Sequence, residues 1–223
     1  MQNLSQYIDH TLLKPTATEM DFRKLCEEIY THNFYAACVP PHYVSFVKEI
    51  LVYSQAKVCT VIGFPLGYQI TSTKLAEAEK ALTDGANELD MVMNINAFKS
   101  MAYLTVKQEI KELAEMAHSK DALLKVIIET AYLDNFDLSI ACEICEEAGA
   151  DFVKTSTGFA PKGADLAQVK LMRNILPESV KIKASGGIQT YEEAIDFIEA
   201  GANRLGTSSG VAIMKGGEET GGY

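Results

Sequence analysis

The sequence predicts an α/β protein built as a single-domain (β/α)8 TIM barrel, and three observations lead to this prediction. Eight short apolar segments follow one another along the 223 residues. Amphipathic segments separate them, as expected for helical crossovers between parallel strands. One motif recurs at three places where a helix gives way to a strand. Eight units of about 28 residues each match the roughly 30 residues of a βαβ unit.

The eight predicted strand segments are seven to nine residues long. They are YIDHTLL (7–13), FYAACVP (34–40), KVCTVIGFP (57–65), ELDMVMN (88–94), LLKVIIET (123–130), DFVKTST (151–157), KIKASGG (181–187) and RLGTSSG (204–210). An open doubly wound sheet is the alternative arrangement. No GxGxxG motif follows any of the strands, which disfavours it.

Apolar residues at helical spacing predict the intervening helices. The clearest are EMDFRKLCEEIYTHN (19–33), TKLAEAEKALTDGA (73–86), LTVKQEIKELAEMAHSK (104–120) and NFDLSIACEICEEAGA (135–150). TYEE at 190–193 fits a capping box and predicts a further helix start. The CEIC pair, Cys142 and Cys145, lies on one helix face with no second CxxC, which favours packing over metal or redox chemistry.

The recurring motif places three residues at one depth of the barrel. Its copies are DGANELDMV (84–92), AGADFVKTS (148–156) and AGANRLGTS (200–208). A glycine in each copy suits the left-handed turn that ends a helix. The fifth residue after that glycine is Asp90, Lys154 or Gly206, and strand alternation predicts that these face the barrel interior. The residues preceding them are apolar and should face the helices: Leu89, Val153 and Leu205.

Charge, apolar segments and cysteines indicate which partners and which cellular location to expect. A formal net charge of −10 disfavours nucleic-acid and anionic-membrane partners. The first residues contain no apolar signal segment, and no run approaches the roughly 18 apolar residues of a membrane span. Five scattered cysteines predict a reduced, cytoplasmic protein. We expect the barrel to span 1–215 and a flexible tail to occupy 216–223.

Lys154 stands where a strand should be buried on both faces. A buried ammonium is costly, and its usual response is a lowered pKa. The free amine can then form an imine with a carbonyl compound. Lys183 shares this orientation on the next strand, and we expect each lysine to lower the pKa of the other. Lys183 could instead bind phosphate, and Asp90 is either an acid/base or only an ion-pair partner.

Other residues could line the same pocket. Glu129 ends strand 5, Asp9 and His10 lie on strand 1, and Lys125 falls deeper, where a structural role is expected. Cys38 on strand 2 could line the pocket, although packing is the favoured interpretation. ASGGIQT and GTSSG, after strands 7 and 8, suit phosphate binding. The four histidines are isolated, without HxH or HExxH spacing, so no metal site is predicted.

Seven blocks, in order from residue 8 to about 210, resemble the deoxyribose-phosphate aldolase family. They are IDHTLLKP, TVIGFPLG, ELDMVMNI, LKVIIET, DFVKTSTGF, KASGGI and RLGTSSG. The resemblance implies a metal-independent class I aldolase without a cofactor. Such an enzyme reversibly cleaves 2-deoxy-D-ribose 5-phosphate into acetaldehyde and D-glyceraldehyde 3-phosphate, within deoxynucleoside degradation. It also implies a homodimer or a higher homo-oligomer.

The resemblance also assigns roles. Lys154 would form the Schiff base, Lys183 would be the second catalytic lysine, and Asp90 would transfer protons. The phosphate would contact Gly186, Gly187, Gly206, Ser208 and Ser209. Some members carry a lysine after KTSTG where this chain has Phe159, and some use a terminal tyrosine, matching Tyr223. Asp9, Thr157, Cys38 and Tyr223 are further candidates for the pocket or for proton transfer.

Three other functions remain open at the level of sequence. The chain could be a different Schiff-base enzyme, such as another sugar-phosphate aldolase or a transaldolase. It could be a metal-dependent aldolase. It could also be a barrel that binds a sugar phosphate without turnover, although such a protein would not need two inward lysines and an aspartate.

Overall fold

A computed structural model describes residues 4–216, in which eight parallel strands close into a barrel. Each strand pairs with the next, and the last pairs with the first. The strands are β1 (Ile8–Thr11), β2 (Ala36–Val39), β3 (Lys57–Ile62), β4 (Glu88–Val92), β5 (Leu123–Ile127), β6 (Phe152–Lys154), β7 (Lys181–Ser185) and β8 (Arg204–Thr207). Every one lies within its predicted segment, which confirms the (β/α)8 barrel.

Helices surround this barrel and connect its strands. Those of residues 4–216 are α1 (Glu19–His32), α2 (Val44–Ile50), α3 (Thr71–Thr83), α4 (Ile95–Lys99), α5 (Tyr103–His118), α6 (Asn135–Glu147), α7 (Leu166–Ile175), α8 (Tyr191–Glu199) and α9 (Gly210–Lys215), with 3-10 turns at Leu4–Tyr7, Pro41–Tyr43 and Thr130–Tyr132. The four helices predicted from periodicity are confirmed. So is the start of α8, where Thr190 and Glu193 form the capping box.

The recurring motif has one structural explanation in all three copies. Its glycines have φ values of +104°, +85° and +109° at Gly85, Gly149 and Gly201, as a left-handed helix end requires. The Asn or Asp two residues later accepts a backbone N–H from a neighbouring strand. The pairs are Asn87 with Val58, Asp151 with Leu124 and Asn203 with Ile182. The motif therefore ends a helix and fixes the register of the strand that follows.

Side chains of the barrel strands separate into an outer and an inner set. Leu89, Val153 and Leu205 belong to the large core between strands and helices, as predicted. The inner apolar cluster is much smaller: Leu13, Ala36, Cys38, Cys59 and Val61. The rest of the described interior is therefore available to polar groups.

The CEIC pair is part of the outer core. Cys142 and Cys145 are both fully buried on α6. Burial raises the pKa of the Cys142 thiol to about 12, so the thiol is neutral at ordinary pH. The interpretation of these cysteines as packing residues is confirmed.

The last described helix ends at Lys215, and Gly216 follows with φ +70°. The predicted tail from residue 217, including Tyr223, lies outside the described residues, so the domain boundary stays a prediction. Within 4–216, none of the helices combines the length and apolar character needed to cross a membrane.

An ion pair outside the barrel joins two helices to a barrel strand. Lys74 of α3 donates to Glu109 of α5 at 2.7 Å and to the carbonyl of Val92 on β4 at 2.8 Å. Both side chains are buried, and burial lowers the pKa of Lys74 and raises that of Glu109. A buried carboxylate that loses its cation is strongly destabilising.

We expect Lys74→Met to lower the free energy of unfolding by about 3–5 kcal/mol, measured in urea, because Glu109 stays buried without a cation. Lys107→Met is the matched control, since Lys107 pairs with Glu147 at a largely exposed site. That control should lose less than about 1 kcal/mol. Equal losses in the two variants would contradict this account of Lys74.

Candidate active site

Seven charged side chains from six strands meet inside the barrel, and none is more than 5% exposed. The carboxylates are Asp9 of β1 and Glu88 and Asp90 of β4. The cations are Lys125 of β5, Lys154 of β6, Lys183 of β7 and Arg204 of β8. Inward-facing strand positions of a closed barrel converge on its axis, which brings these groups together from distant parts of the chain.

Asp90 contacts three ammonium groups. Its Oδ2 accepts hydrogen bonds from Lys154 Nζ at 2.7 Å and from Lys183 Nζ at 2.8 Å. Its Oδ1 accepts from Lys125 Nζ at 2.8 Å. The structure thus brings Asp90 and Lys154, two of the residues that the recurring motif placed at one depth, together with Lys183 of the next strand.

These contacts set the protonation of Asp90 and Lys183. Burial by itself would raise the pKa of Asp90, but the charges of the three lysines outweigh burial and hold it well below its usual range. For Lys183, burial lowers the pKa, and Asp9 and Asp90 more than reverse this, so it lies well above the usual range. The expectation of a lowered Lys183 pKa is therefore wrong: the neighbouring Lys125 does lower the pKa, but Asp9 and Asp90 outweigh it.

A second layer of ion pairs holds these carboxylates. Lys125 pairs with Glu88 at 2.6 Å, and Lys183 pairs with Asp9 at 2.5 Å. Arg204 bridges Asp9 at 2.8 Å and Glu88 at 3.3 Å, and its guanidinium lies 3.4 Å from the centre of the Tyr35 ring. Each carboxylate of the cluster is thus fixed by two or more cations.

Sequence reasoning missed Glu88 and Arg204. Each lies two residues before a residue that the recurring motif selected, Asp90 and Gly206. Strand alternation gives both the same inward orientation, so the signal was present. Lys125 was expected to lie deep in the barrel, and it does, but it also contacts Asp90 directly.

Lys154 differs from the other cations of the cluster. Within residues 4–216, Asp90 is the one carboxylate that pairs with Lys154, whereas Lys183 pairs with Asp9 as well. Lys154 is also the last residue of β6, so it lies at the carboxyl end of the barrel, where the connecting loops form a mouth. Its amine can turn toward a ligand at the cost of one ion pair.

The loop after β7 contains two successive glycines in the left-handed region, Gly186 at φ +87° and Gly187 at φ +82°. Gly187 is exposed and open on its Cβ side. Gly186 is buried against Gly163 of the preceding loop, where a Cβ on Gly163 would lie only 2.1 Å from the Gly186 carbonyl oxygen. The path of this loop therefore depends on Gly163.

The loop after β8 is tied to the loop after β7 by Thr207. Its hydroxyl donates to the carbonyl of Ile188 at 2.6 Å and accepts from the N–H of Ser209 at 2.9 Å. Ser208 is half-buried and Ser209 is buried. Gly206 is not in this loop: it lies within β8, where a Cβ would come within 2.9 Å of Lys183 Cε.

Comparison with known proteins identifies the family. The model of the DeoC/LacD family aldolases matches residues 4–216. The chain is 54% identical to a deoxyribose-phosphate aldolase of Thermococcus gammatolerans, over 96% of either chain. It is 50% identical to one of Caldanaerobacter subterraneus, over 96% of this chain and 94% of the relative.

The chain belongs to the DeoC/LacD aldolase family. It is therefore a lyase. A solved relative, the tetrameric deoxyribose phosphate aldolase of Aeropyrum pernix, superposes with a TM-score of 0.89 at 38% identity, covering 95% of this chain and 89% of that one.

Two further candidates from the sequence, Cys38 and His10, lie on opposite sides of the barrel wall. Cys38 belongs to the inner cluster, and a hydrogen bond with Cys59 lowers its pKa. The Cys59 thiol itself contacts Asp90 at 3.1 Å. His10 is not in the pocket: it faces outward, where its Nε2 lies 2.7 Å from Glu28, because it has the parity opposite to Asp9.

Two groups of thiols and carboxylates in the described part of the aldolase lie close enough to hold a metal ion. They are Cys38, Cys59 and Asp90, and Asp9, Cys59 and Glu88. Their carboxylates already pair with lysines or Arg204. A metal ion at either place would have to displace these cations, so the donor set fits an ion-pair cluster better than a metal centre.

We expect Gly163→Ala to raise the KM for a phosphorylated substrate at least fivefold, because the new methyl group displaces the backbone of Gly186. Steady-state kinetics of cleavage measure this. Gly149→Ala is the control: it adds a methyl group at φ +85° with nothing within 4 Å, remote from the two loops. An unchanged KM in Gly163→Ala would contradict the phosphate position that the sequence predicts for the loops after β7 and β8.

Proposed function

We propose that the chain is a class I aldolase that reversibly cleaves 2-deoxy-D-ribose 5-phosphate into acetaldehyde and D-glyceraldehyde 3-phosphate, with Lys154 as the Schiff-base residue. The main support is the environment of Lys154. Its amine lies at the barrel mouth and donates a hydrogen bond to one carboxylate, that of Asp90. The names of the relatives at 50% identity and above support this substrate.

Lys154 fits the nucleophile better than Lys183 does. Its amine can leave Asp90 for a carbonyl carbon by breaking one ion pair. The raised pKa of Lys183 keeps that amine protonated and therefore not nucleophilic. A protonated imine on Lys154 carries the same positive charge as the ammonium, so Asp90 remains a suitable counter-ion.

The reaction begins when the Lys154 ammonium gives up a proton to a nearby base and its free Nζ adds to C1 of the open-chain aldehyde. That proton returns to the hydroxyl of the adduct, which leaves as water and gives the protonated imine. A base removes the proton of the C3 hydroxyl, the C3–O bond becomes a carbonyl, and the electrons of the C2–C3 bond pass into the imine. D-Glyceraldehyde 3-phosphate leaves, the enamine is protonated at C2, and water hydrolyses the resulting imine to acetaldehyde and Lys154.

Asp90 and Lys183 are suited to the proton transfers. The lowered pKa of Asp90 keeps it a carboxylate at rest, so it takes up a proton only when the charges around it change during the reaction. Lys183, protonated at rest and 2.8 Å from Asp90, is the complementary donor. Together they could supply the proton that the enamine needs at C2.

The 5-phosphate is assigned to Gly186, Gly187, Ser208 and Ser209 in the loops after β7 and β8, with Gly206 shaping the strand beside Lys183. Left-handed glycines orient backbone N–H groups for anions, and this pair of loops is the usual phosphate position in such barrels. Binding there would orient C1 toward Lys154. Phe159 adds no charge to this site.

We also propose a homo-oligomer, because the solved relative from Aeropyrum pernix is described as tetrameric. Its subunit number, dimer or higher, stays a prediction for this chain. The cytoplasmic location predicted from the cysteines also stays a prediction, and the five thiols are all free and buried, in keeping with it.

Borohydride reduction in the presence of deoxyribose 5-phosphate should inactivate the enzyme and leave an alkylated Lys154, identified by peptide mass spectrometry. Lys154→Ala should give no adduct and lose at least about 10³-fold in kcat, because the amine that forms the imine is absent. Lys170→Ala, an exposed lysine on α7, is the matched control and should keep both adduct and activity.

The same experiment separates the rival functions. Full activity in Lys154→Ala would overturn the assignment. Loss of cleavage with a chelator, without borohydride inactivation, would indicate a metal-dependent aldolase. Adduct formation without release of acetaldehyde would indicate a different Schiff-base enzyme.

A further inference from the structure

Glu129 has an unusual backbone conformation beside the mouth of the barrel. It follows β5 with φ +52° and ψ +69°, the left-handed region that side chains other than glycine disfavour. Its side chain is only 2% exposed. Strain of this kind persists where the surroundings enforce it, and it is concentrated at functional sites.

The carboxylate of Glu129 accepts hydrogen bonds from Thr157. Its two oxygens accept the N–H of Thr157, each at 3.2 Å, and one of them also accepts the Thr157 hydroxyl in a short contact. The hydroxyl oxygen of Thr157 in turn accepts the N–H of Phe159 at 3.0 Å. Glu129 therefore determines the path of the loop that follows Lys154.

This loop needs such support because the strand pairing ends early. The last register pair of β5 and β6 joins Ile127 to Lys154. Beyond it, the N–H of Thr130 donates to Thr155 at 2.8 Å, and Glu129 extends the connection to Thr157. Glu129 and Thr157 both line a cavity of about 330 Å³ at the mouth, together with Tyr132 and Phe159.

Glu129 also interacts electrostatically with Lys154. Burial raises the pKa of Glu129, and the hydrogen bonds from Thr157 and the positive charge of Lys154 oppose that rise in part. A residue that only braced the loop would not need to be ionisable. The carboxylate of Glu129 is thus close enough to Lys154 for the charge of that lysine to affect it.

We propose that Glu129 is a positioning residue for the aldolase reaction, which acts through Thr157 to hold the loop after Lys154 and thereby aims the imine-forming amine. The proposal rests on the proposed role of Lys154. Glu129 exchanges no proton or bond with the substrate in this proposal, so its effect is on kcat through geometry.

The test is a double-mutant cycle of Glu129→Gln and Thr157→Val, with kcat and KM for deoxyribose 5-phosphate measured for each variant. Each single substitution should lower kcat about tenfold, with KM changed less than threefold because the phosphate loops are untouched. The double variant should lose about tenfold, not about 100-fold, since both changes remove one interaction. Loss near 100-fold would show that Glu129 acts independently of Thr157 and would overturn the proposal.

Two further variants separate positioning from stability. Thr60→Val removes a buried hydroxyl that donates a hydrogen bond to the Val39 carbonyl at 2.8 Å. Thr60 faces the helices and not the barrel interior. It should lower the melting temperature as Thr157→Val does and leave kcat within twofold. Thr157→Ser keeps the hydroxyl for Glu129 and should restore kcat to within threefold of the wild type.

The test still decides the question if Glu129→Gln does not fold. In that case kcat is compared between Thr157→Ser and Thr157→Val. Equal kcat in Thr157→Ser and Thr157→Val, or an equal loss in Thr60→Val, would overturn the proposal. Borohydride trapping of the wild-type enzyme is scored separately. Absence of an adduct there means that the Lys154 mechanism itself is wrong, whatever the cycle shows.

Discussion

The carboxylate of Asp90, fully buried and within 2.8 Å of three ammonium groups, is the contact on which the active site depends. An isolated carboxylate could not remain charged in this interior, and neither could the lysines. Each makes the burial of the others tolerable. Removal of Asp90 would leave Lys154, Lys183 and Lys125 repelling one another inside a closed barrel.

The barrel makes this arrangement possible because its interior receives every second residue of eight strands. Apolar side chains occupy the outer parity and bind the helices, which leaves the inner parity free for chemistry. Four cations face three carboxylates across this space. Among the described residues of this cluster, Lys154 pairs with one carboxylate and lies at the mouth, which is why we propose it as the amine that meets the substrate.

Much of this could be predicted from the chain alone. The repeat with Asp90, Lys154 and Gly206 was visible because it combines a helix-ending glycine with strand alternation. The lowering of the Lys183 pKa was predicted wrongly, because two lysines were known to be adjacent but the position of Asp9 between β8 and β2 was not. His10 was misplaced because two successive strand residues cannot both face inward.

The sequence by itself determined the eight strands, the helix ends and the parity that directs Asp90 and Lys154 inward, since these depend on local periodicity and on glycine conformation. Only the tertiary structure decided which charges meet. Asp9 and Arg204 are 195 residues apart and share a hydrogen bond, and Glu129 after β5 contacts Thr157 after the neighbouring strand β6. Such contacts depend on closure of the barrel and on its register, which no local pattern encodes.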